Sequence, residues 1–404
     1  MAKPLLCLED VQVRRGMSTV LDRCSVKVAT GQTVVLTGAN GAGKSTLIEA
    51  AVGLLPLEQG RVLHLDTVIA DAEGRRKASP LTVGTVLQKN GMIGGEIVSE
   101  HLHCAMAMSG STVDVVPFLR AFKLAHRAND AVAHLSQGQA RKVAVLSALL
   151  PAFACSTPAL VLLDEPGAGL DDASVEVLCD WLDQLRGEGH ALLLATHDRR
   201  LMERATHLMD VGEGKMTPTK SARKPTPLEV GHTPARPIGR AAWGVKMHVR
   251  TMMWLNTNGM AGLLSLGVLL AMGSFMEGLD DMQQLGFILA PTMAVGLCGE
   301  PLVAALREER TAAWWQAVSG GEPHASWLPF ALGFFITLVS ATALQGIPTA
   351  QILVIGAALC GAVWHGMGWM QRSTQRLARP QAVFVGLLTP VLILPYFLLL
   401  SALP

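Results

Sequence analysis

The sequence predicts an α/β domain built on a parallel sheet, followed by an all-α transmembrane helical domain, on three observations. The stretch Gly38-Ala39-Asn40-Gly41-Ala42-Gly43-Lys44-Ser45-Thr46 stands between an apolar run, Thr33-Val34-Val35-Leu36, and a helix-like segment, Leu47-Ile48-Glu49-Ala50-Ala51-Val52. A second apolar run, Ala159-Leu160-Val161-Leu162-Leu163, ends in Asp164-Glu165-Pro166. After about residue 255 the chain carries long, nearly charge-free runs, and about 20 apolar residues suffice to cross a bilayer as a helix.

Strand, glycine-rich loop and helix start together make a P-loop, so the first domain is an α/β P-loop NTPase. Its glycines let backbone N–H groups approach phosphate oxygens, and the following helix dipole favours the anion. Gly38, Asn40, Gly41, Gly43, Lys44, Ser45 and Thr46 are therefore the nucleotide-binding candidates, with Lys44 on the phosphates and Ser45 on Mg²⁺.

Composition agrees with two domains of different kind. The chain has 404 residues, which is long for one domain. Charged residues make up 16% against an ordinary ~25%, and mean hydropathy is +0.36. A net charge of +1 gives no bulk basicity for a nucleic-acid partner. The N-terminus runs straight into a strand pattern without the profile of a signal peptide. Seven cysteines show no paired spacing, which reads as reduced structural thiols.

In chain order, the alternation in Leu8–Val13 and Cys24–Val28 predicts short antiparallel strands. The P-loop helix should end near Gly53, with further strands at Gly60–Leu65 and Val83–Leu87, the latter ending at Gln88. Residues 96–128 read as mostly helical. Leu135-Ser136-Gln137-Gly138-Gln139 then precedes a basic helix, offering a hydroxyl and a helix N-terminus to phosphate, or simply a helix cap. The apolar run ending at Asp164 and Glu165 is a buried parallel strand that delivers carboxylates to the ligand-binding edge of the sheet. Asp164 suits the Mg²⁺ shell, and Glu165 suits a base for the attacking water. Gly169-Leu170-Asp171 follows, and a last strand, Ala191–Ala195, delivers His197.

These motifs, in this order, resemble the ATPase subunit of an ABC transporter over residues 5–215. The resemblance implies ATP and Mg²⁺ as cofactors, Gln88 as a catalytic and metal-shell residue, and Ser136, Gly138 and Gln139 as a phosphate-facing signature. It implies catalytic roles for Glu165 and for His197 as a switch, and a place for Asp171 at the nucleotide interface. It also implies a homodimer in which each P-loop meets the partner's Ser136. Two features depart from the family pattern. Gln137 replaces a glycine of the signature, and Arg15 stands where an aromatic that stacks on adenine is common. An arginine plane can take that stacking role.

Residues 216–240, rich in proline with scattered Lys and Arg, predict a solvated linker between domains 1–215 and 241–404. Ala241–Leu255 reads as an interfacial amphipathic helix. Spans are expected near 257–276, 285–306, 326–345, 348–370 and 381–403. Arg307, Arg310, Arg372, Arg376 and Arg379 then lie in cytoplasmic loops, Glu277, Asp280 and Asp281 outside, and Pro404 outside. Leu306–Glu322 is either a juxtamembrane helix with Trp314 and Trp315 at headgroup level or a coupling element docking near Gln88. Glu300 and His365 are the chief ionisable groups within the spans.

Ala290-Pro291, the charged patch after the second span and the proline-containing last span resemble the membrane subunit of the haem-exporter system of cytochrome c maturation, one span short of its six. The ATPase half resembles that system's ATPase. The expected activity is ATP hydrolysis coupled to export across the cytoplasmic membrane by a multi-pass protein with its ATPase inside, with additional maturation or export subunits as partners. The alternatives are general export of a lipid, drug or polysaccharide, and a membrane-anchored mechanochemical ATPase that moves no substrate.

Overall fold

The structure, a computed structural model, describes residues 3–219, 232–234, 239–272, 278–373 and 381–401. Two compact units form. One comprises Met1–Gly239 with Glu309–Glu322, and the other Arg240–Glu308 with Pro323–Pro404.

In the first unit, β1 (Pro4–Arg15), β2 (Ser18–Ala29), β4 (Gln59–His64) and β5 (Thr67–Asp71) form an antiparallel sheet in the order β2-β1-β4-β5. A second sheet has the order β11-β10-β3-β9-β8-β6, from β3 (Thr33–Thr37), β6 (Val83–Val86), β8 (Leu160–Asp164), β9 (Ala191–Ala195), β10 (His207–Asp210) and β11 (Lys215–Pro218). All its pairs are parallel except the edge strand β11. Side chains on a strand alternate between faces, so Leu160 and Leu162 enter one core while Val161 and Leu163 enter the other. That two-sided burial explains the continuous apolar runs that flag these strands in the sequence.

The helices of this unit are α1 (Lys44–Ala51), α2 (Val98–Ala107), α3 (Val116–Ala121), α4 (Gln137–Ala154), α5 (Asp172–Gly187) and α6 (Arg199–Glu203). The expected helical region 96–128 holds α2 and α3, but between them Ser111–Val113 forms a strand, β7. It pairs antiparallel with β12 (His232–Pro234), as His232↔Val113 and Pro234↔Ser111. The expected solvated linker is thus corrected in its described residues: Lys215–Pro218 and His232–Pro234 are strands on the first unit. A proline lacks the N–H donor, and Pro234 fits because an edge strand leaves one side unpaired. Pro225, Pro227 and Pro237 lie outside the described residues.

The second unit is helical. Its helices are α7 (Arg240–Thr251), α8 (Met260–Ala271), α9 (Asp281–Leu297), α10 (Pro301–Glu308), α12 (Leu328–Leu344), α13 (Ala350–Ser373) and α14 (Ala382–Ser401), with α11 (Ala312–Ser319) belonging to the first unit. The expected amphipathic helix is present as α7, with Trp243 and Met247 buried and Lys246 and Arg250 exposed.

Five spans are not established. Among the described residues, Gln283–Glu308 and Ala350–Ser373 are long and apolar enough to cross a membrane. A third is possible in length only if Arg240–Thr251 and Leu255–Ala271, bent by 60°, count as one. The bend falls where Met252 takes a left-handed φ of 47°. Leu328–Leu344 has 17 residues, about 26 Å at 1.5 Å per residue, against a hydrocarbon core of about 30 Å. Glu277, Arg376, Arg379 and Pro404, used for orientation, lie outside the described residues.

Candidate ATP-hydrolysis site

The strand order places the site. Because β9 lies between β3 and β8, with β6 beyond, the carboxyl ends of four neighbouring parallel strands deliver Gly38, His197, Asp164 with Glu165, and Gln88 to one edge.

The P-loop turns from β3 into α1 through Gly43, whose φ is 96°. A Cβ there would stand 2.9 Å from Leu21 Cδ2 and 3.1 Å from the Val20 carbonyl, so the strand β2 leaves room for no other residue. Lys44 is buried, and its ammonium donates to the carbonyls of Gly38 (2.8 Å) and Ala39 (3.0 Å). Asn40 and Gly41 are exposed at the loop tip, while Thr46 is buried on α1.

Ser45 Oγ donates to Asp164 Oδ1 at 3.1 Å, joining two of the three expected metal-shell residues. Burial pushes the Asp164 carboxyl above its ordinary range, with the Ser45 hydroxyl acting against it. A nearly dry carboxylate beside a hydroxyl is a hard-oxygen pair that suits Mg²⁺. Gln88 does not share that hydrogen bond. It is exposed and lines a cleft of about 640 Å³ with Arg15, Glu49, Lys89, Arg310 and Gln316.

Glu165 takes a left-handed φ of 46°, uncommon for a residue with a side chain. Its N–H donates to the Ala195 carbonyl (2.8 Å), which locks the turn against β9. Its carboxylate Oε1 lies 3.6 Å from His197 Nε2, and both side chains are part-exposed. Two of the three expected catalytic groups, Glu165 and His197, therefore face one another at the open edge.

Ser136 caps α4: its hydroxyl accepts from the Gln139 N–H (3.3 Å), and the Gln139 side chain accepts from the Ser136 N–H (3.0 Å). The capping box makes the signature a rigid, exposed helix start. Gly138 lies against the Gly169 carbonyl, where a Cβ would come within 2.9 Å. Asp171 caps α5 through the Ser174 N–H (2.9 Å) and accepts from Lys142 (2.6 Å). That lysine, followed by the capping bond, holds the Asp171 carboxyl well below the usual carboxylate range.

One group escaped the sequence reading. Buried Arg141 donates to the carbonyls of Leu87 (2.9 Å), Glu165 (2.9 Å) and Asp164, and to Asn90 Oδ1 (3.2 Å). One guanidinium thus fixes the ends of β6 and β8 against α4. Its partners are 23 to 54 residues away, so no local pattern signals it. Arg15, which stands where an adenine-stacking aromatic is common, pairs with Glu49 of α1.

The segment 309–322 packs on the first unit. Glu309 Oε2 accepts from the Gly94 N–H at 2.7 Å, and burial raises its carboxyl above the ordinary range. Trp314 is buried over Gly91 and beside the His101 ring, centroids 5.1 Å apart. His101 in turn meets the buried Glu96 carboxylate at 3.0 Å, which also accepts from the Ile93 N–H at 2.8 Å. The docking reading of this segment, rather than the headgroup one, matches where the tryptophans are.

Residues 21–168 match the family described as ABC transporter. A putative hemin import ATP-binding protein of Staphylococcus aureus is 31% identical over 223 residues, 52% of this chain and 99% of its own length. The glutamate/aspartate import ATP-binding protein of Escherichia coli is 30% identical over 219 residues, 52% of this chain and 89% of its own. A putative ABC transporter ATP-binding protein of Halobacterium salinarum is 33% identical over 202 residues, 48% of this chain and 84% of its own. A solved ATP-binding subunit of an ABC transporter is similar at 26% identity and a TM-score of 0.45, covering 53% of this chain and 90% of its own. A phosphate loop, a paired Ser45 and Asp164, a Glu165–His197 edge and these relatives lead to one conclusion: the chain belongs to the ABC transporter ATP-binding family and is an ATPase.

Proposed function

We propose that the chain is a half-unit of an ATP-driven transporter, in which two copies close over two ATP molecules and each drives its own helical unit. The observation that carries this is the docked segment: Glu309 and Trp314 sit on residues 91–101, which follow β6 and Gln88 in the chain. A change at Gln88 during hydrolysis thereby reaches the stretch of chain that enters α10 on one side and α12 on the other.

Within each site the loop 38–43 binds the phosphates through its N–H groups, and Lys44 exchanges its carbonyl partners for phosphate oxygens. Mg²⁺, held by Ser45 Oγ and Asp164, supplies charge neutralisation of the phosphates when bound. Glu165 takes the proton of the attacking water, and His197 keeps the carboxylate aimed. Arg141 holds the backbone under both. Ser136 and Gln139 bond to each other at the start of α4, and Ser136 is exposed, which supports its use by the partner chain.

For the cargo we propose haem, or release of a haem-loaded partner in cytochrome c maturation, in the outward direction and at the cytoplasmic membrane with the ATPase inside. The sequence resemblance to that system supports it, and one relative is named for hemin, although its name says import. Proteoliposomes with the ATPase facing outward should take up haem only with ATP, and Glu165→Gln should abolish the uptake. Deletion should lower holocytochrome c. Haem flux that is absent beside an intact ATPase points to the partner-releasing reading, and unchanged holocytochrome c overturns the haem assignment.

A further inference from the structure

The helical unit holds a buried charged cluster that the transport reading leaves unused. The helical hydrogen bonding stops between α9 and α10, where Gly299 has a φ of 68°. Two side chains repair the break. The Gln371 amide accepts from the Glu300 N–H (3.0 Å) and donates to the Cys298 carbonyl (3.3 Å). Asn258 donates to the carbonyls of Val295 and Gly299, both at 2.9 Å. Backbone at membrane depth survives only when rejoined in this way. Glu300, set in the repaired break, is fully buried.

Its two oxygens are treated differently. Oε2 accepts from Arg372 at 3.1 Å. Oε1 faces His248 Nε2 at 3.8 Å, and neither atom has a hydrogen-bond partner among the described residues. The tautomer of His248 is fixed from its other side. Its Nδ1 lies 2.8 Å from the Gly244 carbonyl, which can only accept, so Nδ1 carries the hydrogen. A neutral ring then presents a lone pair at Nε2 to the lone pairs of a carboxylate, and 3.8 Å is outside hydrogen-bond range.

We infer that His248 and Glu300 form a proton-binding site in the helical unit. One proton from water bonds to Nε2, turns two facing acceptors into a donor and an acceptor, and draws them into a hydrogen bond. Its loss returns both to the separated arrangement. Other charged groups nearby are Arg372, on which Arg307 donates to the backbone carbonyl at 2.7 Å, and His324, which lies in the field of Glu300 and Arg372 together with His365 and Arg240. Lys246 and Arg250, on His248's own helix, are exposed. The Nε2 of His365 donates to the Ser326 carbonyl at 2.9 Å. Glu300 immediately precedes α10, whose last residue adjoins Glu309, so occupancy of the site bears on the docked segment by chain connection. That consequence rests on the transport reading, while the proton site does not.

The test is histidine-¹⁵N and glutamate-carboxyl-¹³C NMR of the full chain in lipid nanodiscs, titrated from about pH 4.5 to about pH 8.5. The His248 ring is assigned by its loss in His248→Gln and by its contact with the Trp364 indole, whose ring centroid is 6.1 Å away. We expect Nε2 of His248 to take up a proton in this range, with a midpoint lower by at least about one unit, tenfold weaker binding, in Glu300→Gln. In the wild type alone, the Glu300 carboxyl signal should move at the same midpoint. A His248 ring that stays neutral throughout, a midpoint unchanged in Glu300→Gln, or separate midpoints for the two wild-type signals overturns the proposal. ATPase activity is not part of this readout, so failure of the transport reading leaves it intact.

Discussion

Trp314 lies over Gly91 so closely that a Cβ on the glycine would come within 2.5 Å of Trp314 Cγ, and the glycine holds a φ of 74°. Gly91→Val should therefore push the docked segment off, since overpacking costs about 1–3 kcal/mol and the left-handed backbone adds to it. ATP hydrolysis should continue while ATP-driven transport is lost. Hydrogen exchange should quicken across residues 312–319. Transport that keeps pace with hydrolysis in this variant would remove the segment from the coupling role.

Arg141 supports backbone carbonyls at Leu87, Asp164 and Glu165 from a buried position. Removing a buried charged donor strands several acceptors, at about 3–5 kcal/mol. Arg141→Met should lower the melting temperature of the ATPase transition by roughly 6–20 °C at 2–4 °C per kcal/mol. Hydrolysis should fall as well, because the Glu165 backbone loses its anchor. Calorimetry and phosphate release check the two effects separately.

Lys142 and Asp171 give a pH signature. The Asp171 carboxyl is held below its unfolded value, so the pair's stabilisation is complete above the ordinary carboxylate range and fades as pH falls through the lowered value. Asp171 is half-exposed, so solvent screening keeps the contribution to about 1 kcal/mol or less. Lys142→Met should melt below wild type at neutral pH, and the gap should narrow as the solution is acidified below about pH 4. A gap that widens in acid contradicts the pairing.

Arg15 is tied to Glu49, and no aromatic ring stands at this position. Arg15→Tyr should free Glu49 and tighten ATP binding by at least about fivefold, since stacking one base on an aromatic contributes ~1–3 kcal/mol. Calorimetric titration with ATP and with GTP measures both affinity and base preference. No gain for either nucleotide places the base elsewhere.

The motif residues were legible because each is local: a loop between strand and helix, or acids at the end of an apolar run. Their meeting at one edge follows from strand order, and the chain positions of β3, β6, β8 and β9 do not reveal that β9 lies between β3 and β8. Arg141 was invisible because its acceptors are backbone atoms far along the chain. The β7–β12 pair was missed because three residues show no alternation. The break at Gly299 hid within an apolar run, because Gln371 and Asn258 restore its hydrogen bonds without changing hydropathy. Trp314 and Trp315 suit a headgroup layer or a protein surface by composition, their position in the chain favours docking, and the contact with Gly91 puts Trp314 on the first unit.

The return of residues 309–322 to the first unit has a consequence for biogenesis. The surface around Gly91, Gly94 and His101 is completed by residues synthesised after α7 to α10. On the ribosome, the first unit therefore waits, with the surface around Gly91 uncovered, until the helical residues that precede Glu309 have emerged. A nascent chain halted before residue 309 would present that surface to chaperones, and release of the chaperone would report that synthesis had passed residue 322.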